Sequence, residues 1–130
     1  MTNLIYLASP YLYRKPKPEG YSDKSWDSYC NMIQQQRYEQ AIDATAELMS
    51  KGLVVYSPIV ATHPIAVKHK LPKGSEYWMK FDRVIIEKCD ELYVLQLEGW
   101  EESLGVQEEI QIARRNGIPV KYMNVFTKPV

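Results

Sequence analysis

Residues 92–123 read LYVLQLEGWEESLGVQEEIQIARRNGIPVKYM. Leu92-Tyr93-Val94-Leu95 is a short apolar run of the kind that forms a buried strand. A loop from Gln96 to Glu102 follows, then a helical pattern from about Leu104 to Asn116, with Gly117 where a C-terminal cap falls. Ile118 to Met123 closes the unit as another strand. A strand, a helix and a strand in succession fit one unit of a parallel sheet with the helix as its crossover. Upstream, Ser75 to Lys88 predicts a helix with Trp78, Phe81, Val84 and Ile85 on one face. Leu53-Val54-Val55-Tyr56 is a second strand, ended by Ser57-Pro58. The segment after it contains Pro58, Pro64 and Pro72 and reads as a long loop. From about Ser28 to Lys51, Ile33, Tyr38, Ala41, Ile42, Thr45, Leu48 and Met49 recur at three and four, and Gly52 stops the pattern. Asn3 to Ala8 is a first strand, apolar on both faces and ended by Ser9-Pro10. Residues 11–27, YLYRKPKPEGYSDKSWD, read as a loop, and a loop of that length in a small domain commonly carries function. The alternation predicts an α/β fold with three layers, αβα, flavodoxin- or Rossmann-like. Its parallel sheet has four or five strands in the order 2-1-3-4.

A chain of 130 residues forms one domain, residues 1–130, large enough for a core without disulfide or metal staples. Sixteen basic and sixteen acidic residues leave no net charge, which disfavours nucleic acid and membrane as partners and favours a small molecule. Of the aromatics, ten are Tyr and three Trp against two Phe, so most carry a polar handle. Cys30 and Cys89 lie far apart, without a CxxC or a histidine at ligand spacing, and read as reduced core thiols. His63 and His69 lack a third ligand, so neither metal nor cofactor is expected. The N-terminus, MTNLIYLASP, has no basic region ahead of a long apolar stretch, and no segment reaches the ~20 apolar residues of a span. The expectation is a soluble cytoplasmic protein.

In open α/β sheets, ligands bind beyond the carboxyl ends of the strands where the order reverses, here between the first and third. That places Tyr6 to Tyr11 and Gln96 to Gly105 at the site. Ser103 opens the helix that follows, whose free N–H groups suit an anion, although a serine there also serves simply as an N-cap. At 100° per residue, Val106, Ile110 and Ala113 face the sheet, with Glu109 about 60° from their centre and Glu108 about 160° away. Glu109 is therefore the carboxylate that can be partly buried beside the cleft, a candidate nucleophile or base. His63 can line the pocket or serve only as a structural loop residue. Trp78 and Trp100 can each stack a base or pack in the core; Trp100, on a loop at the cleft mouth, is the better placed.

Tyr6-Leu7-Ala8-Ser9-Pro10, Asp82 eight residues before Asp90, Ser103-Leu104-Gly105-Val106-Gln107-Glu108-Glu109-Ile110 and Gly117-Ile118-Pro119-Val120 together resemble the nucleoside 2-deoxyribosyltransferase superfamily. The likeness is to its nucleotide N-glycosidase branch and to small bacterial and phage proteins within it. The resemblance implies that Glu109 attacks the anomeric carbon of a nucleoside, displaces the base and forms a covalent glycosyl-enzyme. Water or a second base then resolves this intermediate. It implies that Tyr6 orients the Glu109 carboxylate, and that Asp82 hydrogen-bonds the sugar or helps to protonate the leaving base. Deoxyribosyltransferases acting on free nucleosides carry an aspartate where this chain has Ser103. The related hydrolases of nucleoside 5′-monophosphates carry serine, and a hydroxyl on a helix N-terminus accepts a phosphate. The expected substrate is therefore a nucleoside 5′-monophosphate, with Ser9, Pro10, Arg14, Ser103, Gly105, Trp100 and His63 around it. Superfamily members commonly oligomerise, so a homodimer or larger assembly is expected. Base exchange by a deoxyribosyltransferase, a non-catalytic nucleotide-sensing domain and an interaction protein using its tyrosine-rich loops are the alternatives.

Overall fold

The computed structural model describes residues 3–72 and 75–124. Four strands, β1 (Leu4–Ala8), β2 (Val54–Tyr56), β3 (Glu91–Leu95) and β4 (Val120–Met123), form one parallel sheet in the order β2-β1-β3-β4. The expected α/β class and the strand order are both found. Between the strands lie α1 (Asp23–Ser50), α2 (Pro58–His69), α3 (Ser75–Ile86) and α4 (Leu104–Arg115), with a short 3-10 turn at Trp100–Glu102 before α4.

Central β1 explains the layering. Its side chains alternate across the sheet, and residues 5–8 are all buried. Ile5 and Leu7 join Ala44 and Leu48 of α1 in one apolar cluster. Tyr6 and Ala8 join Met79 and Ile86 of α3 and Val106 and Ile110 of α4 in the other. Helix α1 thus covers one face, and α3 with α4 the other. Asp90 fixes the start of β1 against β3: its carboxylate accepts from the Leu4 N–H at 2.7 Å, and its own N–H donates to the Leu4 carbonyl at 2.8 Å. Cys30 and Cys89 are buried and unpaired.

Three expectations are corrected. Helix α1 begins at Asp23, five residues ahead of the expected start, because Ser22 and Ser25 cap it reciprocally, each hydroxyl accepting the other's N–H at 3.0 Å. The loop after β1 is correspondingly shorter, and Trp26 belongs to the helix. The proline-rich stretch after β2 is not a loop. Ser57 is an N-cap whose hydroxyl accepts from the Val60 N–H at 3.2 Å, and Pro58 occupies the first helical position, where a missing N–H costs nothing. On α3 the buried face carries Met79, Asp82 and Ile86, whereas Phe81 and Val84 are exposed. Among the described residues, no helix is long and apolar enough to cross a membrane.

Candidate active site

A cavity of about 280 Å³ opens beyond the carboxyl end of β1. It is bordered by the chain leaving β1 at Ser9, by α2, by α3 at Asp82, and by the start of α4 at Ser103 and Gly105. Glu109, one turn further along α4, reaches the cavity and is only 5% exposed. The sheet-facing stripe of α4 explains this depth: Val106, Ile110 and Ala113 are buried around it, and Glu108 faces solvent. The carboxylate is buried more fully than the helical angle alone indicates, because α3 packs beside α4.

A charge at that depth needs a partner. Tyr6, fully buried on β1, donates its hydroxyl to Glu109 Oε2. Burial, together with the neighbouring carboxylates of Glu109 and Asp82, holds the Tyr6 phenol well above its ordinary range, so it remains a donor. Asp82, 8% exposed on α3, is pushed up to about 6 by burial, an effect opposed by the Tyr6 hydroxyl. Burial also raises Glu109 well above the usual carboxylate range, the Asp82 charge adds to this, and the hydrogen bond from Tyr6 favours its ionised form. The three side chains form one coupled group in which two carboxyls compete for protons across a tyrosine. Such a group can present an ionised carboxylate and a protonated acid in the same cleft.

Ser9 is 4% exposed and its hydroxyl has no hydrogen-bond partner among the described residues, although it borders the cavity. A buried hydroxyl in that condition is completed by whatever occupies the space. The Ser103 hydroxyl accepts from the Val106 N–H at 3.3 Å and leaves its own proton free for a ligand. Arg14 lies at the exposed mouth, where its guanidinium donates to Asn31 Oδ1 at 3.2 Å.

His63 is not on a loop. It sits buried on α2, bordering the cavity, with Tyr38 stacked on its ring at 4.0 Å between centroids. The Tyr11 hydroxyl lies 2.6 Å from His63 Nδ1 and Gln35 Oε1 lies 3.2 Å from Nε2, so the imidazole anchors Tyr11 in the cavity wall. Two of the expected contacts fall elsewhere. Trp100 is half-buried against the core below α4 and packs on Tyr122 at 5.6 Å, outside the cavity lining. Pro10 is buried behind that lining. Trp78 is the tryptophan that borders the cavity, with its indole N–H donating to the Pro72 carbonyl at 2.7 Å. The wall contributed by α2, at Ile59, Thr62 and Ala66, was missed with the helix itself. Its signal was present in the sequence: positions 59, 62, 63 and 66 follow helical spacing behind Ser57-Pro58.

Among the described residues, no group of three or more His, Cys, Asp or Glu gathers as metal ligands would. A family model described as "Domain of unknown function (DUF1937)" matches residues 3–125. No curated protein matches the chain.

Proposed function

The chain belongs to the DUF1937 family, and from its site we propose that it cleaves the N-glycosidic bond of a nucleoside 5′-monophosphate through a covalent intermediate on Glu109. The observation that carries this reading is the buried Tyr6 hydroxyl held on the Glu109 carboxylate at a cavity that Asp82 also borders. Glu109 attacks the anomeric carbon as the C1′–N bond breaks, and its electron pair passes to the base. Asp82, protonated, supplies the proton the departing nitrogen needs. The transition state has oxocarbenium character, so a carboxylate in a dry site stabilises it before the new bond is complete. Water then attacks C1′, Asp82 takes its proton and Glu109 leaves as carboxylate, giving a 5-phospho-sugar and free base. Ser9 and Ser103 hold the phosphate, with the start of α4 supplying positive potential. The resemblance to nucleoside 2-deoxyribosyltransferases supports the same assignment of roles, and with it a cytoplasmic homo-oligomer that needs no cofactor.

The test is chromatographic detection of free base from a panel of ribo- and deoxynucleosides and their 5′-monophosphates. Release from monophosphates, abolished by Glu109→Gln, is expected. Release that survives Glu109→Gln, or none from any substrate, sinks the proposal.

A further inference from the structure

The candidate cavity does not end at its carboxylates. Ile59, Thr62, His63 and Ala66 of α2 border it, while Ala66, Val67, Lys70 and Leu71 border a second, shallower hollow of about 420 Å³ that shares Leu12 and Arg14 with the first. Positions 59, 62, 63, 66, 67 and 70 fall three and four apart, so one face of a single helix and its C-cap floors both compartments. From Ile59 to Lys70 that face runs about 16 Å. The facing wall is the chain leaving β1, which passes Ser9, Tyr11, Leu12 and Arg14 in turn.

Chemistry changes in order along this groove. Asp82 and Glu109 lie at one end, next to the unpartnered Ser9 hydroxyl. Arg14 stands where the two compartments meet and Lys70 at the far end, and neither pairs with a carboxylate among the described residues. Around these cations the walls are apolar, and Leu12 and Val67 are left 43% and 50% exposed. Lys70 also occupies a left-handed C-cap, φ 54°, where glycine is the favoured residue.

Under the glycosidase reading one nucleotide lies in the first compartment, and the second, about 420 Å³, adds room, the Lys70 cation and apolar walls beyond it. We propose that the substrate class is a dinucleotide, two nucleosides joined through their 5′ carbons by a pyrophosphate. Its scissile N-glycosidic bond lies over Glu109, its pyrophosphate passes Ser9 toward Arg14 and Lys70, and its second base rests on Leu12, Val67 and Leu71. The bond broken is the one assigned under the glycosidase reading, on which this step rests; the second compartment rests on the groove alone.

The experiment compares initial rates of base release by the intact protein on two matched pairs, AMP with diadenosine 5′,5′-diphosphate and nicotinamide mononucleotide with NAD⁺. In at least one pair, kcat/KM is expected to be at least tenfold higher for the dinucleotide, through a lower KM. That ratio falls at least tenfold in Lys70→Glu and moves in the same direction in Lys70→Gln, which removes the charge without adding a carboxylate. Equal kcat/KM within both pairs, or a ratio unmoved by both variants, overturns the extended groove while the glycosidase reading stands. If none of the four compounds releases base, the glycosidase reading fails, and calorimetric titration with the same pairs decides the groove. Tighter binding of the dinucleotide that is lost in Lys70→Glu supports it, and equal binding of both members of each pair overturns it.

Discussion

In the proposed reaction, the outcome turns on how three side chains share protons. Tyr6, Asp82 and Glu109 are each pushed toward the neutral form by burial, yet a nucleophile must be ionised and a general acid protonated. With Asp82 at about 6, the acid role is filled only where the pH lies near or below that value. As the acid it must hold its proton, so kcat/KM for base release is expected to fall up to about tenfold per pH unit above about 6. In Asp82→Asn that decline disappears and the rate at pH 6 drops by about 10²- to 10⁴-fold. A wild-type profile that stays level from pH 6 to 8 removes Asp82 from the acid role. The same shift has a stability consequence whose sign is opposite to that of a salt-bridged carboxylate. Asp82 titrates near 4 when unfolded and at about 6 when folded, so across that window the folded chain binds more protons. The stabilisation is therefore complete below about 4 and is lost as pH rises through about 6, on the order of 3 kcal/mol in all. Asp82→Asn never acquires the charge. Its thermal stability relative to wild type should rise steadily from pH 4 to pH 7, and a difference that is constant across this range contradicts the buried-acid account.

At the level of elements, what could be read from the sequence depended on whether a local signal had one meaning. Helix α4 was legible almost to the residue, because its apolar stripe, Ser103 cap and Gly117 stop agree, and Glu109 was placed with it. Helix α2 was not. Ser9-Pro10 and Ser57-Pro58 are the same dipeptide after a strand; the first leads into irregular chain and the second caps a helix. In the second proline-rich stretch the prolines mask the helical period of the residues between them. On α3 the large aromatics point to the wrong face, since Phe81 is exposed and the polar Asp82 faces inward. At the start of α4, Ser103 combines a cap with a proposed phosphate contact, and one substitution separates them. Aspartate is as good an N-cap as serine, so Ser103→Asp should leave the melting temperature nearly unchanged, whereas Ser103→Ala costs about 1 kcal/mol. Against a phosphate the new carboxylate is repulsive, and kcat/KM for a monophosphate relative to its nucleoside should fall by about tenfold or more. A ratio that does not change in Ser103→Asp places the phosphate elsewhere.

For the molecule as a whole, strand order followed from the alternation of elements and from β1 being apolar on both faces, because only a central strand is covered twice. What holds the mouth of the site together was invisible in the sequence, since it joins segments far apart in the chain. Arg37, half-buried on α1, donates to the Leu12 carbonyl at 3.0 Å and the Tyr11 carbonyl at 3.5 Å, and its other terminal nitrogen donates to the Glu98 carbonyl at 3.0 Å. One guanidinium thereby links the chain leaving β1 to the chain leaving β3, the two segments that the parallel topology delivers to the cleft. Burial pulls its pKa down against the opposing influence of Tyr13 and Glu98, and its hydrogen bonds to the carbonyls offset the cost of burying the charge. Gly99 completes the fit: a Cβ there would stand 2.8 Å from Arg37 Nη2, and its φ of +87° is strained for any other residue. Arg37→Ala should cost about 2–4 kcal/mol, as charge-assisted hydrogen bonds to two segments are lost together. The sharper reading is by amide hydrogen exchange. The Tyr13 N–H donates to Gln34 Oε1 and the Trp100 N–H to the Leu97 carbonyl, one reporter on each segment. If Arg37 is the clasp, both amides exchange faster in Arg37→Ala, by similar factors, while Leu92 at the centre of the sheet slows or quickens only with global stability. Acceleration of one reporter without the other would mean that the two walls are held independently, and that the cleft is built by the sheet alone.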